Sequence, residues 1–298
     1  MANKKIIVTG ASGFVGGSVV YHGAQNHTIY ALSRGECIYD HASVHWHTLE
    51  YDDQERLAEI FNTVQPDAVI HVAAIADIDY CENNQDEAYK VNVDYTCRLA
   101  QLCKKSDTRM VFVSTDNVYD GTQPVNTHTD PVSPVNYYGQ TKVKAEQIVL
   151  DTVADTAIAR LALVMGFPII GGGNSFLMRM ITQWEAGNSV GVPDNEVRSP
   201  IDLITAGLAL IEMANNTSQG VVLLAGLDAG SRIELVKQLA IGFGYDPEQV
   251  HPFYPSQLRG RGERPETVIC DTSHTREVLE TPMLNIEMAI PLMQPFQP

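Results

Sequence analysis

The segment SPVNYYGQTK carries two tyrosines and a lysine whose spacing suits proton transfer. Residues four apart lie on one face of a helix, so Tyr138 shares a face with Lys142, whereas Tyr137 shares one with Thr141. A free phenol keeps its proton up to about pH 10, and a nearby ammonium favours the phenolate. We therefore expect Lys142 to lower the pKa of Tyr138, and Tyr138 to give its proton to a carbonyl oxygen that is being reduced.

Thr115 supplies a third group of this kind, at the end of the apolar run RMVFVST. Open α/β sheets bind ligands at the carboxyl ends of their strands, so its hydroxyl is expected to hydrogen-bond the oxygen that Tyr138 protonates. Gly139 lies inside the tyrosine helix, where it costs about 1 kcal/mol relative to alanine and indicates that another group approaches that face closely. Thr115, Tyr138 and Lys142 together predict a catalytic set, in which Lys142 also bonds the ribose of a nicotinamide nucleotide.

Three glycines, Gly10, Gly13 and Gly16, follow the first strand and open a helix in IIVTGASGFVGGSVV. Glycine permits a tight turn, lets the backbone approach a pyrophosphate, and lets the helix pack closely on the strand. The free N–H groups of the helix N-terminus suit phosphate without any basic side chain. The pattern predicts a nucleotide site. Two residues separate its first two glycines, whereas one residue separates them in the usual dinucleotide fingerprint.

The second predicted strand ends in ALSRGE, with Ser33 and Arg34 where sites that prefer NAD carry an acidic residue. A guanidinium and a hydroxyl can hold a 2′-phosphate that a carboxylate would repel. We therefore expect NADP(H) as the preferred cofactor, while Glu36 nearby leaves the use of NAD(H) open.

The charge of the chain argues against a nucleic-acid partner. Its 298 residues include 20 Lys and Arg against 36 Asp and Glu, a formal net charge of −16, whereas binding of a phosphate backbone needs a basic face. An anionic ligand must then be met by backbone N–H groups and a few arginines. The candidate arginines are Arg34, Arg160, Arg179, Arg198, Arg261 and Arg264.

Composition and hydropathy predict a soluble cytoplasmic protein. No apolar run is long enough to span a membrane, and the first strand begins too early to leave room for a signal peptide. The five cysteines lack metal-ligand spacing and are expected to be reduced, structural thiols. His45 and His47 have the spacing of a two-histidine metal site on a strand, but no third ligand is near and an edge strand accounts for the pattern, so no metal is expected.

Seven short β-rich runs alternate with stretches of helical period. The runs are KKIIVTG, HTIYALS, VHWHTLE, DAVIHVAA, RMVFVST, AIARLAL and GVVLLAG. They predict an α/β fold, a Rossmann-type doubly wound parallel sheet covered on both faces. Beyond Gly166 the segments rich in glycine and proline predict a smaller C-terminal substrate domain. We expect residues 1–166 with about 201–243 to bind NADP, and about 167–200 with 244–298 to bind the substrate.

Through T-G-x-x-G-x-x-G at its N-terminus and Y-x-x-x-K at Tyr138 and Lys142, the chain resembles the extended short-chain dehydrogenase/reductase superfamily. Within it, STDNVYDG, SPVNYYGQTKVKAE, HVAAIADIDYCENNQDEAYKVNV and RPETVICDTS resemble segments of the dTDP-4-dehydrorhamnose reductase family. The similarity covers most of the chain. It implies a Rossmann domain that binds the cofactor and a small domain that holds a nucleotide-sugar, in an enzyme of dTDP-L-rhamnose biosynthesis that reduces a 4-keto-6-deoxy sugar.

The resemblance also implies roles for individual residues. Thr115, Tyr138 and Lys142 correspond to the family's catalytic triad. Residues implied to hold or support the cofactor are Gly10, Gly13, Phe14, Val15, Gly16, Glu50, Ala73, Ala74 and Asn92. Residues implied on the substrate side are Asp116, Asn117, Arg198 and Arg264. Glu50 and Thr205 stand where the family often has aspartate, which leaves the substrate open.

Other functions remain open at this point. Sugar-nucleotide dehydratases carry Thr-Asp-Glu at the strand end, and Asn117 in place of the glutamate disfavours elimination. A sugar-nucleotide epimerase that retains its cofactor is not excluded by the sequence. The chain also resembles the regulatory β subunit of methionine adenosyltransferase, a partner protein. The apolar faces of the tyrosine helix and of the helix near residues 88–105 predict a four-helix homodimer interface of the superfamily type.

Overall fold

The chain is described here from a computed structural model, which covers residues 3–36, 38–171, 175–253 and 261–298. Its strands are β1 Lys5–Thr9, β2 Thr28–Ser33, β3 Val44–Thr48, β4 Ala68–His71, β5 Arg109–Thr115, β6 Thr156–Leu161, β7 Val164–Met165, β8 Val190–Pro193, β9 Val197–Arg198, β10 Ile201–Asp202, β11 Gly220–Leu224, β12 Gly230–Ser231, β13 Val250–Phe253 and β14 Thr267–Val268. Its helices are α1 Phe14–Gly23, α2 Gln54–Val64, α3 Ile78–Asn83, α4 Gln85–Tyr89, α5 Tyr95–Ser106, α6 Tyr137–Thr152, α7 Phe176–Glu185, α8 Leu203–Asn215, α9 Arg232–Gly242, α10 Ser273–Val278 and α11 Ile286–Met293.

A parallel sheet of seven strands forms the centre of the molecule, in the order β11-β6-β5-β4-β1-β2-β3. The strand order reverses direction between β1 and β4, the arrangement that opens a ligand crevice at the carboxyl ends of the strands. Each of the seven β-rich runs recognised in the sequence is one of these strands. The prediction of a doubly wound α/β fold is confirmed.

Apolar side chains cover both faces of this sheet. Alternate residues of β1 point to opposite faces, as the strand geometry requires: Ile6 packs in the cluster formed with α1 and α8, and Ile7 packs in the cluster formed with α2, α5 and α6. Both side chains are fully buried. The sheet is therefore held between two helical layers, and its strand ends stay in fixed register.

A second apolar cluster lies outside the sheet. It joins α7, α9 and α11 with the short strands β8 and β13, and it includes Leu177, Val192, Leu239 and Ile290. Val164 and Ile169 contact both this cluster and the sheet. The division into two domains stays a prediction, and α9, which the prediction placed with the sheet, packs in the second cluster.

The structure also shows where the histidines of VHWHT and the cysteines lie. β3, which carries His45 and His47, is the edge strand of the sheet, and both imidazoles pack near the Tyr30 ring. Within the described ranges no group of three or more metal-ligating side chains is found, and no helix is long and apolar enough to cross a membrane. The four cysteines in those ranges are unpaired, and Cys37 lies outside them.

Candidate functional site

A cleft of about 890 Å³ runs along the carboxyl ends of β1, β2, β4, β5 and β6. Its volume lies within the range of small-molecule and cofactor sites. Most of the residues singled out in the sequence line it: Gly10, Gly13, Phe14, Val15, Gly16, Ser33, Arg34, Ala73, Ala74, Thr115, Asp116, Asn117, Tyr138, Lys142, Arg198 and Arg264. Glu50 and Asn92 are absent from the lining.

The glycine turn leaves no room for a side chain at Gly10 or at Gly16. Gly10 has φ +66°, and a Cβ there would lie 2.8 Å from the Ala73 backbone. A Cβ on Gly16 would lie 2.0 Å from the Gly10 carbonyl oxygen. Gly13, the residue that precedes α1, provides no side-chain cap, so the first N–H groups of this helix remain available to a ligand.

A directional chain of hydrogen bonds runs beneath this turn. The Ala73 N–H donates to Thr9 Oγ1 at 3.2 Å, and Thr9 Oγ1 lies 2.6 Å from His71 Nδ1. On the other side of the ring, Nε2 lies 2.9 Å from Thr96 Oγ1, which donates to the Asn92 carbonyl at 2.7 Å. Since Thr96 uses its hydrogen there, it must accept from Nε2–H, and Nδ1 of the neutral ring accepts from Thr9. Burial, with a smaller contribution from Lys142, holds the pKa of His71 well below its usual value.

Asn92 continues the chain toward α6. It lies in a π-helical segment, Lys90–Asp94, between α4 and α5, and its side chain pairs with both the N–H and the carbonyl of Ile75, at 2.8 and 3.0 Å. Its amide also donates to Thr141 Oγ1 at 3.0 Å, and Thr141 donates to the Tyr138 carbonyl at 2.7 Å. Asn92 thus joins the wall of the cleft to the tyrosine helix without lining the cleft itself.

The start of α6 fixes which tyrosine enters the cleft. Asn136 caps the helix by accepting from the Gly139 N–H at 2.8 Å. A Cβ on Gly139 would lie 2.5 Å from the Asn117 carbonyl oxygen, which explains the glycine that the sequence placed inside this helix. Tyr138 is 8% exposed and lines the cleft, whereas Tyr137 does not.

The acidity expected of Tyr138 is not found. Burial raises the pKa of this phenol well above its usual value; hydrogen bonding with Thr115 opposes the shift, and the Asp116 carboxylate adds to it. The predicted lowering of the Tyr138 pKa was wrong as a net shift, because desolvation outweighs every other influence on the phenol. Tyr138 is therefore fully protonated at neutral pH, the form in which it can donate a proton.

Lys142 is the group in the cleft whose pKa lies near neutral pH. Its side chain is 2% exposed, and Nζ lies 4.1 Å from the centre of the Phe112 ring. Burial lowers the pKa of Lys142 to about 7, although the Glu146 carboxylate one turn further along α6 acts in the opposite direction. Glu146 is itself held by two hydrogen bonds from Arg160, at 3.0 and 2.7 Å. Arg160, a candidate for an anionic ligand, is thus a buried structural partner outside the cleft.

At the end of β2, Ser33 and Arg34 line the cleft and differ in whether their polar groups already have partners within the protein. The Ser33 hydroxyl donates to the Gly35 carbonyl at 2.9 Å and accepts from the Trp46 indole at 3.0 Å. Arg34 is exposed and lines the cleft, with no ion pair among the described residues. Glu50 is exposed outside the lining, between the lining residues Leu49 and Tyr51.

Beside the catalytic candidates, Asp116 and Asn117 form a short helical turn after β5. Asn117 donates to Thr115 Oγ1 at 3.3 Å and to Asp116 Oδ1 at 2.9 Å, while its own Oδ1 is buried without a partner. Burial raises the pKa of Asp116, and the charge of Arg198 opposes that shift. The Asn117 oxygen is an acceptor open to a donor on a ligand.

The arginines predicted on the substrate side are already engaged. Arg198 is buried and donates to the carbonyls of Val197, Pro265 and Glu266 at 2.7–3.1 Å. Arg264 pairs with both oxygens of Asp79, at 2.6 and 3.0 Å.

Two residues that sequence reasoning missed lie beside Arg198: Glu196, which is 4% exposed, and Arg232, which both line the cleft. Salt bridges join Glu196 to Arg198 at 3.7 Å, to Arg232 at 3.2 Å and to Arg261 at 2.8 Å. No motif marks these residues, because they come together only through the pairing of β9 with β12 and β14.

The residues of the cleft fit a nicotinamide dinucleotide. The Cβ-free turn at Gly10 and Gly16 and the uncapped start of α1 suit a pyrophosphate, because they present N–H groups with no side chain in the way. Arg34 would meet the ribose phosphate, and Tyr138 and Lys142 would lie at the nicotinamide end.

Comparison with known proteins shows to which family the chain belongs. Residues 4–294 match the family described as RmlD substrate binding domain. The chain belongs to this family. The predicted membership of the extended short-chain dehydrogenase/reductases, close to the dTDP-4-dehydrorhamnose reductases, is confirmed.

Individual relatives of this RmlD-family chain are distant. A dTDP-4-dehydrorhamnose reductase of Mycolicibacterium smegmatis is 26% identical over 287 residues, covering 94% of this chain and 82% of that protein. Methionine adenosyltransferase 2 subunit beta of Bos taurus is also 26% identical, over 91% of this chain and 81% of its own length. The crystal structure of dTDP-4-dehydrorhamnose reductase from Bacillus anthracis in complex with NADP superimposes with a TM-score of 0.85 at 20% identity, covering 98% and 99% of the two chains. At that identity the match supports the fold.

Proposed function

We propose that this protein is an NADPH-dependent reductase of a nucleotide-linked 4-keto-6-deoxy sugar, related to the dTDP-4-dehydrorhamnose reductases. The observation that carries the proposal is the joint placement of Thr115, Tyr138 and Lys142 in one cleft with the glycine turn. The family match and the names of several relatives support the substrate class. We propose NADP(H) as the preferred cofactor, with NAD(H) as the alternative.

In the proposed reaction, bound NADPH supplies the hydride for the carbonyl carbon at C4. Thr115 orients the carbonyl oxygen, and Tyr138, protonated because of its burial, donates a proton to that oxygen as negative charge develops. Lys142 contributes a positive charge on the same helical face, which stabilises the phenolate that Tyr138 becomes. Asn117 offers its free Oδ1 to a sugar hydroxyl.

The test of this function is NADPH oxidation measured against a panel of dTDP-, GDP- and UDP-linked 4-keto sugars. Turnover of one or more of them is expected, with a reduced sugar as the product. Absence of turnover across the panel, in a protein that binds NADPH, would contradict the reductase assignment.

A second candidate is a role as a partner protein, favoured by the similarity to methionine adenosyltransferase β subunits. Under this alternative the chain binds NADPH but does not turn over keto sugars. Isolation of the native protein in a stable complex with a larger enzyme, together with a silent panel, would support it.

We also propose that the protein forms a homodimer in the cytoplasm, which the sequence predicted from helical faces and composition. Tyr89 of α4 and Leu150 of α6 are large apolar side chains that are exposed, at 39% and 42%. They lie on the two helical regions in which the interface was expected.

Arg34 is expected to determine cofactor preference. The Arg34→Ala variant loses the exposed guanidinium, so its dissociation constant for NADPH should rise about 10–100-fold, the range of one hydrogen bond to a charged group. The constant for NADH should change little. Titration of both nucleotides, with Arg56→Ala as a charge-matched control outside the cleft, checks this; parallel losses for NADPH and NADH would contradict it.

The reduction should depend on the charge of Lys142. An amine is charged below its pKa, which burial lowers to about 7, so kcat/KM for reduction should be highest below about pH 7 and fall as the pH rises through that value. Tyr138 stays protonated over this range, so its titration causes no further fall in kcat/KM. The measurement is a pH–rate profile compared with that of Lys142→Arg, whose side chain does not titrate. A decline that persists in that variant would assign it to another group.

A further inference from the structure

A buried ionic group lies between α6 and the sheet, outside the cleft. Its members are Glu146 on α6, Arg160 on β6 and Tyr119, which follows the short helical turn after β5. Their exposed fractions are 4%, 6% and 2%, and none of the three lines the cleft. Any role of this group in the reaction must therefore act through a residue that does line it.

The carboxylate of Glu146 is held in one orientation from the side of the sheet. Arg160 donates to both of its oxygens, from Nε at 3.0 Å and from Nη2 at 2.7 Å. The third nitrogen of that guanidinium, Nη1, donates to the Tyr119 hydroxyl at 2.9 Å, and this hydroxyl donates to the Thr127 carbonyl at 2.9 Å. Burial opposes the charge of Arg160, but hydrogen bonding and attraction to Glu146 outweigh burial and raise its pKa. The ion pair is thus fully engaged on the arginine side.

Glu146 also lies one helical turn from Lys142. Residues four apart share a face of a helix, so the carboxylate and the amine are neighbours along α6. Burial lowers the pKa of Lys142 to about 7, and among the neighbouring side chains Glu146 opposes that shift most. The ring of Phe112 on β5, 4.1 Å from Nζ, presents its face to the amine and carries no charge.

The other titratable groups around Lys142 are uncharged at neutral pH. Burial raises the pKa of the Cys81 thiol on α3 to about 11. It also raises the pKa of the phenols of Tyr138 on α6 and Tyr95 on α5 well above the usual value. The pKa of His71 on β4 is held well below its usual value by burial, with a smaller contribution from Lys142. These groups therefore add no negative charge that could stabilise the amine.

Two carboxylates of the described chain act on the tyrosine–lysine pair, and they act on different members of it. Asp116, in the turn after β5, acts on Tyr138, whereas Glu146 acts on Lys142. We infer that Glu146 is a positioning residue for the reduction: held by Arg160, its carboxylate keeps Lys142 charged and so sets the pH range of the reaction. The inference rests on the proposed function for the reaction that this charge serves.

The direct test is an NMR titration of Glu146→Gln with isotope-labelled lysine side chains, in which the Lys142 signal is assigned by its absence from Lys142→Arg. The variant lacks the charge that favours the charged amine, so the titration midpoint of Lys142 should fall by about 1–2 pH units. The fall of kcat/KM with rising pH should move to lower pH by the same amount. Glu59→Gln, which removes an exposed carboxylate of α2 outside the cleft, is the control and should leave the midpoint unchanged. A wild-type midpoint in Glu146→Gln overturns the inference.

A double variant separates this effect of charge from a purely structural ion pair. Glu146→Gln leaves Arg160 buried without its counter-ion and should melt at a lower temperature than wild type, whereas Glu146→Gln combined with Arg160→Gln removes both charges and should regain much of that loss. The Lys142 midpoint should stay low in the double variant, because the carboxylate is still absent from α6. A midpoint that returns to the wild-type value as the melting temperature recovers overturns the positioning role. If Glu146→Gln does not fold, the midpoint in the double variant decides.

The inference and the proposed function fail separately, because the NMR titration needs no turnover. A Lys142 midpoint that depends on Glu146, in a protein that reduces no keto sugar, would remove the reductase assignment and keep the control of the amine by Glu146. Reduction of a keto sugar with an unchanged pH profile in Glu146→Gln would do the reverse.

Discussion

Replacing Tyr138 by phenylalanine is expected to lower kcat for keto-sugar reduction by at least ~10²-fold, the contribution of a positioned general acid. The phenol hydrogen-bonds with Thr115 and shares a helical face with Lys142, and its burial keeps it protonated at neutral pH. The ring itself remains, so packing with Cys81 and Ala88 is retained. The dissociation constant for NADPH should therefore stay close to that of wild type.

The neighbouring residue provides the control for this experiment. Tyr137→Phe removes the same hydroxyl from the first residue of α6, outside the cleft, and should keep wild-type turnover. Wild-type rates in Tyr138→Phe, or equal losses in both variants, would remove Tyr138 from the proposed mechanism.

Gly16→Ala is expected to abolish measurable NADPH binding and to lower the melting temperature. Its Cβ would lie 2.0 Å from the Gly10 carbonyl oxygen, a backbone atom that can move only if the turn opens. Overpacking of a rigid interior costs about 1–3 kcal/mol, and displacement of α1 would also withdraw the N–H groups offered to phosphate. NADPH titration and thermal unfolding measure the two effects.

Gly35→Ala serves as the matched control for stability, since a Cβ at that position would meet nothing within 4 Å. It should melt at the wild-type temperature. Normal NADPH affinity in Gly16→Ala would mean that the turn does not bind the pyrophosphate.

The sheet could be predicted from the sequence because its strands are buried on both faces. Runs such as RMVFVST and DAVIHVAA contain few polar residues, and each became a central strand, β5 or β4. The glycine turn and the tyrosine–lysine pair are local patterns, so their places at the start of α1 and on one face of α6 followed from spacing alone. The short strands β9, β12 and β14 carry no such periodicity and were not predicted.

The electrostatics of the site depended on burial, which spacing does not reveal. The four-residue interval between Tyr138 and Lys142 predicted a shared face correctly, but desolvation reverses the expected shift of the phenol and moves the titration to the amine. Arg198 was recognised as a cation, yet two of its three carbonyl partners, Pro265 and Glu266, lie 67 and 68 positions further along the chain. Glu196 and Arg232 could be found only by tertiary pairing.

The hydrogen-bond chain through Thr9, His71 and Thr96 restricts how this region can vary in sequence. Each ring nitrogen in it either donates or accepts, and each hydroxyl does both, so changing one member leaves a buried neighbour without its hydrogen-bond partner. A single replacement in this hydrogen-bond chain is therefore expected to lower stability more than a coordinated replacement of neighbouring members. Residues that never touch a ligand should accordingly change together or not at all.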